Sequence, residues 1–289
     1  MGMDEDPALW NNTGLQRCEV GQFKDAKQLL QTAHRLDPNC GDILVNLGFT
    51  HGRMNQQDPE ERCYRLAAQD ASARSTALKN LGLLRLAQGR LQEGWALHHQ
   101  RETHPILQAL HWRGPHERLD SPLLVWNDGG QGDLLQFCRY LPPLIAAGQA
   151  IRLAIQNELI PLINNWLPVE QPELLEIIPF GEDMLRGADR HVPVMSICRL
   201  MDPHLRQASQ CDQAYLKQPK TDPHRLIINR PRRTRERRIG LCWASNRGDR
   251  SLYHSKSIPL ELLIRKVPWR SRDQLISLQR GERKERQRW

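Results

Sequence analysis

The residues best able to do chemistry in this 289-residue chain fall in one stretch, residues 121–142, SPLLVWNDGGQGDLLQFCRYLP. Three glycines, Gly129, Gly130 and Gly132, sit in a turn with a carboxylate, Asp133, directly after them. A turn of this kind, placed between a strand and a helix, presents backbone N–H groups and the positive helix end at the carboxyl edge of a sheet, where α/β proteins bind ligands. A carboxylate there can accept a proton from a substrate hydroxyl. It can equally cap the helix that follows. The residues alone leave both roles open. The glycine spacing is not G-x-G-x-x-G, so the dinucleotide fingerprint is absent.

Several elements must hold that turn. Leu123–Trp126 is a short apolar run of the kind that forms a buried parallel strand. The turn glycines are expected to take positive φ, which only glycine adopts without strain. Asp133 falls where an N-cap would stand, and Leu134, Leu135, Phe137, Cys138 and Leu141 supply an apolar helical stripe. Further strands are predicted over 151–155, 174–178 and 190–196, with a helix over 156–166. This alternation predicts a doubly wound, mostly parallel sheet within an α/β lobe spanning 105–225. A basic linker over 226–236 leads to a strand at 237–243, a polar loop at 244–257, a helix at 259–266 and a strand at 274–279. Those elements predict the start of a second α/β lobe over 237–289, ending in a charged tail.

Residues 1–104 carry an internal repeat. Gly14, Gly48 and Gly82 recur at one fixed interval, and Trp10, Gly21, Phe23, Ala26, Ala33 and Pro38 complete a nearly full tetratricopeptide pattern around the first. Helices are predicted near 8–20, 24–36, 42–54, 58–71, 75–88 and 92–102. The fold class is therefore α followed by α/β. The repeats either present a surface to a protein or peptide partner or brace the lobe behind them.

The motif residues resemble a family. GGQGDLLQFCRYLP is similar to the G-x-G-D-x-x-Q-F-x-R-Y-x-P signature of bacterial tetratricopeptide-repeat glycosyltransferases related to the lipopolysaccharide heptosyltransferases. RHVPVMSICRLM resembles that family's H-x-P-L-x-S-L segment. IGLCWAS, KSIPLELL and LISLQRG resemble, in order, the start of its second lobe. The resemblance implies a two-lobed GT-B fold and inverting transfer of sugar from a nucleotide sugar to an acceptor hydroxyl. It makes Asp133 the general base and assigns Gly130, Gly132, Gln136, Arg139 and His191 to the substrate. It places Ser245, Lys256 and Ser257 at the donor phosphates, and implies no metal and no cofactor beyond the donor itself. His191 read by itself is a strand-edge histidine without chemistry, and 244–257 a solvated loop. The family's D-T-x-x-x-H-L-A-G-A-L-G segment has no counterpart here, so an incomplete donor lobe and impaired transfer are expected. The alternative is a non-catalytic tetratricopeptide module that binds a protein.

Composition narrows the remaining classes. Hydrophobic residues make up 39% and charged residues 26%, as in globular proteins. The net charge of +8 is concentrated in residues 225–238 and 265–289, each about +6, leaving about −4 for the rest. The first run lacks interleaved aromatics, which argues against nucleic-acid binding. Seven cysteines without a C-x-x-C pair suggest reduced thiols and a cytoplasmic setting. No apolar run reaches the length of a transmembrane helix, and the acidic start carries no secretory signal. Histidines 98, 99, 104, 111 and 116 lack convergent metal-ligand spacing and read as a surface helix end and linker.

Overall fold

The computed structural model describes residues 6–101, 105–167, 169–201, 215–217, 237–244 and 256–278. The chain opens with helices α1 (Pro7–Glu19), α2 (Phe23–Leu36), α3 (Gly41–Arg53), α4 (Gln57–Ala67), α5 (Arg74–Ala87) and α6 (Leu91–His98), the last extended by a 3₁₀ turn, His99–Arg101. The first helix of each hairpin ends in the same way. Gly21, Asn55 and Gly89, at one place in successive repeats, take φ of 78°, 57° and 75°. The N–H of the next residue then bonds the first helix's last turn: Gln22 to the Arg17 carbonyl, Gln56 to that of His51 and Arg90 to that of Arg85, each at 2.9 Å. This is a Schellman turn made three times, with asparagine, the usual second choice for the left-handed site, in the middle copy. Helix α4 ends at Ala67, short of the predicted residue 71. Asp70 instead accepts the Ser72 N–H and the Gly41 N–H, each at 2.9 Å, tying the exit of α4 to the start of α3.

The glycine period has a packing cause. A Cβ on Gly14 would lie 2.7 Å from Leu30, on Gly48 2.7 Å from the Tyr64 ring, and on Gly82 2.7 Å from the backbone nitrogen of His98. The three partners also hold one place in the repeat, so the same contact of helix on helix recurs in every hairpin. The consequences differ. Leu30 is a flexible side chain, whereas the neighbours of Gly82 are backbone. Gly82→Ala is expected to cost about 2–3 kcal/mol, against about 1 kcal/mol or less for Gly14→Ala, in urea unfolding of the two variants. Equal costs would refute this account. Buried Arg85 binds Glu61 of α4 through Nη1 at 2.7 Å and Glu93 of α6 through Nε at 2.9 Å, joining three helices.

A short helix, α7 (Pro105–Ala109), leads to the sheet. Its strands are β1 (Leu123–Trp126), β2 (Ile151–Ile155), β3 (Leu175–Pro179) and β4 (His191–Pro193), all parallel, in the order β3-β2-β1-β4. Helices α8 (Gln131–Phe137) and α9 (Leu141–Ala146) connect β1 to β2, α10 (Ile160–Trp166) connects β2 to β3, and α11 (Ile197–Met201) follows β4. The chain winds outward from β1 to β3 and then returns to the other side of β1. The carboxyl ends of β1 and β4 therefore flank the point where strand order reverses, the usual ligand crevice of an open α/β sheet. Leu123 and Val125 are fully buried, as is Val192, in a core with Leu134, Leu141, Ile145 and Leu153, and Leu124 between them is fully buried as well. The free edge of β4 is covered: the His191 N–H bonds the Leu110 carbonyl at 3.0 Å and the Trp112 N–H bonds that of His191 at 2.8 Å.

A second parallel pair, β5 (Arg237–Leu241) and β6 (Asp273–Ser277), is joined through α12 (Leu260–Lys266). Arg237 forks onto Asp273 at 2.7 and 2.6 Å and lowers that carboxyl to about 2. Contacts divide the chain into two units: Met1–Pro38, Thr50–Gln56 and His224–Trp289 in one, Asn39–Phe49 and Gln57–Pro223 in the other. Helices α4–α6 thus cluster with the four-stranded sheet. Among the described residues no helix is long and apolar enough to cross a membrane. The predicted basic linker and charged tail lie outside the described residues.

Candidate functional site

At the carboxyl end of β1, Asn127 organises the turn. Its side-chain nitrogen donates to Gln156 Oε1 at 2.8 Å, beyond β2, and its Oδ1 accepts the Gly129 N–H at 3.3 Å. The turn then departs from the sequence reading in two ways. None of Gly129, Gly130 and Gly132 has positive φ; Gly130 is extended, with φ −74° and ψ 174°. Glycine is required at 129 by crowding instead, because a Cβ there would meet Asp133 Oδ2 at 2.6 Å and Met195 Sδ at 2.9 Å. Gly132 has nothing within 4 Å of such a Cβ. The second departure is that Gly130, not Asp133, is the N-cap. Asp133 is the third helical residue, and its Oδ2 reaches back to accept the Gly130 N–H at 2.7 Å. Asp133→Ala should therefore cost about 1 kcal/mol, and Asp133→Asn about half of that, since the amide oxygen still accepts while the charge facing the helix end is lost. Equilibrium urea unfolding measures both; an Asn variant as unstable as the Ala variant would contradict this geometry.

Beside this turn lies a tie between the helical repeats and the sheet. Arg101 donates to Asp128 Oδ2 from Nε at 3.1 Å and also from Nη2, to the His98 carbonyl from Nη1 at 3.0 Å, and to Ser196 Oγ at 3.2 Å. Asp128 Oδ1 accepts the Met195 N–H at 3.2 Å. One buried carboxylate thus joins the loops after β1 and β4 to the end of the third hairpin. Arg101 occupies the repeat place of Ala33 and Ala67, both fully buried against their own hairpins. His98 likewise takes the place of Leu30 and Tyr64. The third repeat departs from the pattern at the residues that dock it.

The histidines form a packed row, not the surface linker expected from the sequence. His98 is buried at 4% exposure and stacks edge-on against Trp95 at 5.5 Å. His99 meets His111 at 4.5 Å between ring centres, and His111 meets His191 at 5.5 Å. The reason is the covered sheet edge: residues 110–112 pair with β4 and close over the helix end. Burial lowers His98 and His99 to about 4, helped by the Arg101 charge for the first and by His111 for the second. Burial lowers His111 as well. His111 Nδ1 faces the Trp112 carbonyl at 2.8 Å, and its Nε2 has no partner among the described residues. His104 lies outside the described residues, and His116 is exposed. Among the described residues no three or more His, Cys, Asp or Glu groups are arranged to hold a metal.

Two cavities open along this row. One, of about 480 Å³, is lined by Arg74, Ser75 and Leu78 of α5 together with His99, Gln108 and His111. The other, of about 760 Å³, shares those last three residues and adds Trp95, Trp112, Arg113, His116 and Arg199. Both are of the size that ligand sites occupy.

The sequence-predicted site residues are spread more widely than the motif suggested. Gly130, Gly132 and Gln136 are exposed near Asp133. Arg139 is occupied, with Nε on the Gln136 carbonyl at 2.8 Å and its guanidinium 4.3 Å over the Tyr215 ring. His191 opens β4, an outer strand of the sheet as expected, and is fully buried: Nδ1 accepts from Trp126 Nε1 at 3.0 Å and Nε2 bonds the Leu107 carbonyl at 2.7 Å. Both ring nitrogens are used within the core. Lys256 and Ser257 precede Ile258, whose N–H bonds the Trp243 carbonyl just past β5 at 2.9 Å. Ser245 lies outside the described residues. Sequence reasoning missed Arg101, Asp128, Ser196 and the buried histidines.

No protein-family model matches the chain, and no curated protein matches it by sequence. Among solved structures it is similar to MamA, at 17% identity and a TM-score of 0.32, over 34% of this chain and 57% of that one. It is similar to the first TPR of Spaghetti (RPAP3), solved with the HSP90 peptide SRMEEVD, at 17% identity and a TM-score of 0.32, over 35% of this chain and 82% of that one. It is also similar to PilF of Pseudomonas aeruginosa, at 16% identity and a TM-score of 0.31, over 37% of this chain and 50% of that one. The chain spans a little over half the length of MamA and half that of PilF.

Proposed function

We propose that this chain is a protein-binding module, in which tetratricopeptide-type hairpins joined to an α/β lobe hold a peptide segment of a partner. The observation that carries this reading is the open cavity beside α5, where Ser75 and Leu78 meet Gln108 and the histidine row. The Ser75 hydroxyl donates to the Arg101 carbonyl at 3.0 Å and keeps its lone pairs as acceptors; with the apolar Leu78 and the Gln100 amide in the same open groove, the lining suits an extended peptide, which needs both backbone partners and a place for side chains. The test is an unbiased peptide array probed with the full chain. Binders with dissociation constants below about 100 µM, that is about 5.5 kcal/mol, are expected, and Leu78→Asp should abolish their binding without changing the melting temperature. An array without binders would end the proposal.

A second reading is favoured by Asp133, whose carboxylate stands beside the reversal point of the sheet with Oδ1 unbonded among the described residues. In this reading the lobe that holds Asp133 is glycosyltransferase-like, and an acceptor hydroxyl meets Asp133; by the sequence resemblance, taken by itself, Lys256 and Ser257 with Ser245 are contacts for the donor's phosphates. Nucleotide-sugar affinity in the millimolar range, about 4 kcal/mol, is expected from calorimetry with a panel of donors, with no turnover by this chain alone. Micromolar binding, or transfer that Asp133→Asn lowers by about 10²–10⁴, would favour this second reading over the first.

A further inference from the structure

We infer that the partner segment is acidic, and that Arg74, Arg113 and Arg199 select it. This rests on the protein-binding reading above. The two cavities share His99, Gln108 and His111, so they are parts of one groove. Three arginines line it and, among the described residues, no carboxylate does. All three are exposed, and none makes a salt bridge among the described residues. Arg74 is oriented by its own Nε, which donates to the Ala68 carbonyl at 3.0 Å. Glu117 accepts the Arg113 N–H and is already committed: Oε2 takes that N–H at 2.8 Å and Oε1 takes Arg190 at 2.6 Å. Asp128 is committed to Arg101 in the same way. The protein thus neutralises the arginines of its tie but leaves those of the groove open.

A groove of one sign with no internal counter-charge attracts the opposite sign and rejects its own. Guanidinium groups also match carboxylates in shape, two donors to two oxygens. The rest of the lining points to a peptide in preference to a bare anion. Gln92 and Gln100 offer amides that both donate and accept, as a peptide backbone requires. Leu78, Trp95 and Leu200 offer apolar surface for side chains between the acids.

The experiment is fluorescence anisotropy of the full chain with three labelled octapeptide pools that differ only at three fixed positions, bearing Asp/Glu, Asn/Gln or Lys/Arg. The acidic pool should bind at least about tenfold more tightly than the neutral pool, weaken as salt is raised, and leave the basic pool unbound. Arg113→Gln with Arg199→Gln should reduce acidic-pool affinity about five- to tenfold and leave neutral-pool affinity unchanged. Arg199→Glu should shift preference toward the basic pool. Both sites are exposed, and unchanged circular dichroism melting verifies that the variants fold. Equal binding of acidic and neutral pools would overturn the inference while leaving a peptide-binding protein. Binding of no pool would overturn both. A mixed-sequence single-stranded RNA octamer that outcompetes the acidic pool would also overturn it, by assigning the arginines to phosphates.

Discussion

Replacing Arg101 with methionine is expected to cost about 3–5 kcal/mol, the penalty for stranding one member of a buried ion pair. The Asp128 side chain is 7% exposed and that of Arg101 15%. Removing the guanidinium leaves Asp128 with the single Met195 N–H bond and withdraws a donor from the His98 carbonyl and from Ser196. Methionine keeps much of the apolar stem, so the loss reports the charge and its bonds. The partner change tests the mechanism. In the double variant Arg101→Met, Asp128→Leu no charge remains buried, and most of the stability should return. Hydrogen exchange should speed up in Arg101→Met at residues 91–101, because their docking on the sheet is what the pair holds. A loss below about 1 kcal/mol, or a double variant no better than the single one, would show that the tie is made elsewhere.

That pair also marks the limit of what the sequence reveals. The helical hairpins and parallel strands were legible because their signals are local and redundant. A glycine recurring once per repeat, apolar runs at Leu123–Trp126 and Ile151–Ile155, and turn residues between them leave few arrangements. The β3-β2-β1-β4 order is not local, and periodicity does not carry it. At the turn after β1, Gly129 was identified as necessary for the wrong reason, and at Gly132 nothing within 4 Å of the Cβ position demands glycine. Glycine is demanded either by positive φ or by a neighbour's approach, and only the three-dimensional contact of Gly129 with Asp133 and Met195 separates the two. The same ambiguity displaced the helix start: Gly130 serves as N-cap, so Asp133 falls inside the first turn and caps by reaching back.

The docking residues carried a signal that was there to be read. His98 and Arg101 look like the polar end of a surface helix when taken alone. Set on the repeat period, they occupy the places of Leu30 with Tyr64 and of Ala33 with Ala67, which are buried in the other hairpins. A polar residue at a buried place in a repeat must find a partner. For Arg101 that partner is Asp128, in a turn that sequence reasoning had singled out for its neighbour.

Acid should loosen the same junction before it protonates the carboxylates. His98 and His99 are neutral in the folded protein, because burial lowers both to about 4 from a normal value of 6.5. The groups facing them add to the cost of protonation: Arg101 and Lys79 near His98, His111, Arg199 and Arg101 near His99, opposed near His98 by Asp128 alone. As pH falls below 6.5 the unfolded chain binds protons that the folded chain refuses, so stability drops through the window from 6.5 to 4 and then levels off for these groups. One such histidine contributes up to about 3 kcal/mol over that range, at about 1.4 kcal/mol per pH unit. The two share neighbours and will not add fully. Glu61 and Asp70, whose carboxyls are lowered by hydrogen bonds, lose their contributions only below the ordinary carboxylate range, so a loss between pH 6.5 and 5 belongs to the histidines. His98→Leu restores the residue found at the same repeat place in the first hairpin. The Nδ1 it removes has no hydrogen-bond partner among the described residues. That variant should match or exceed the parent's stability at pH 5 and flatten the pH dependence, and adding His99→Gln should flatten it further. Urea midpoints measured at half-unit steps from pH 7 to 4 decide the matter: a parent profile level down to pH 5, or a slope that both substitutions leave unchanged, would mean that these rings accept protons in the folded state.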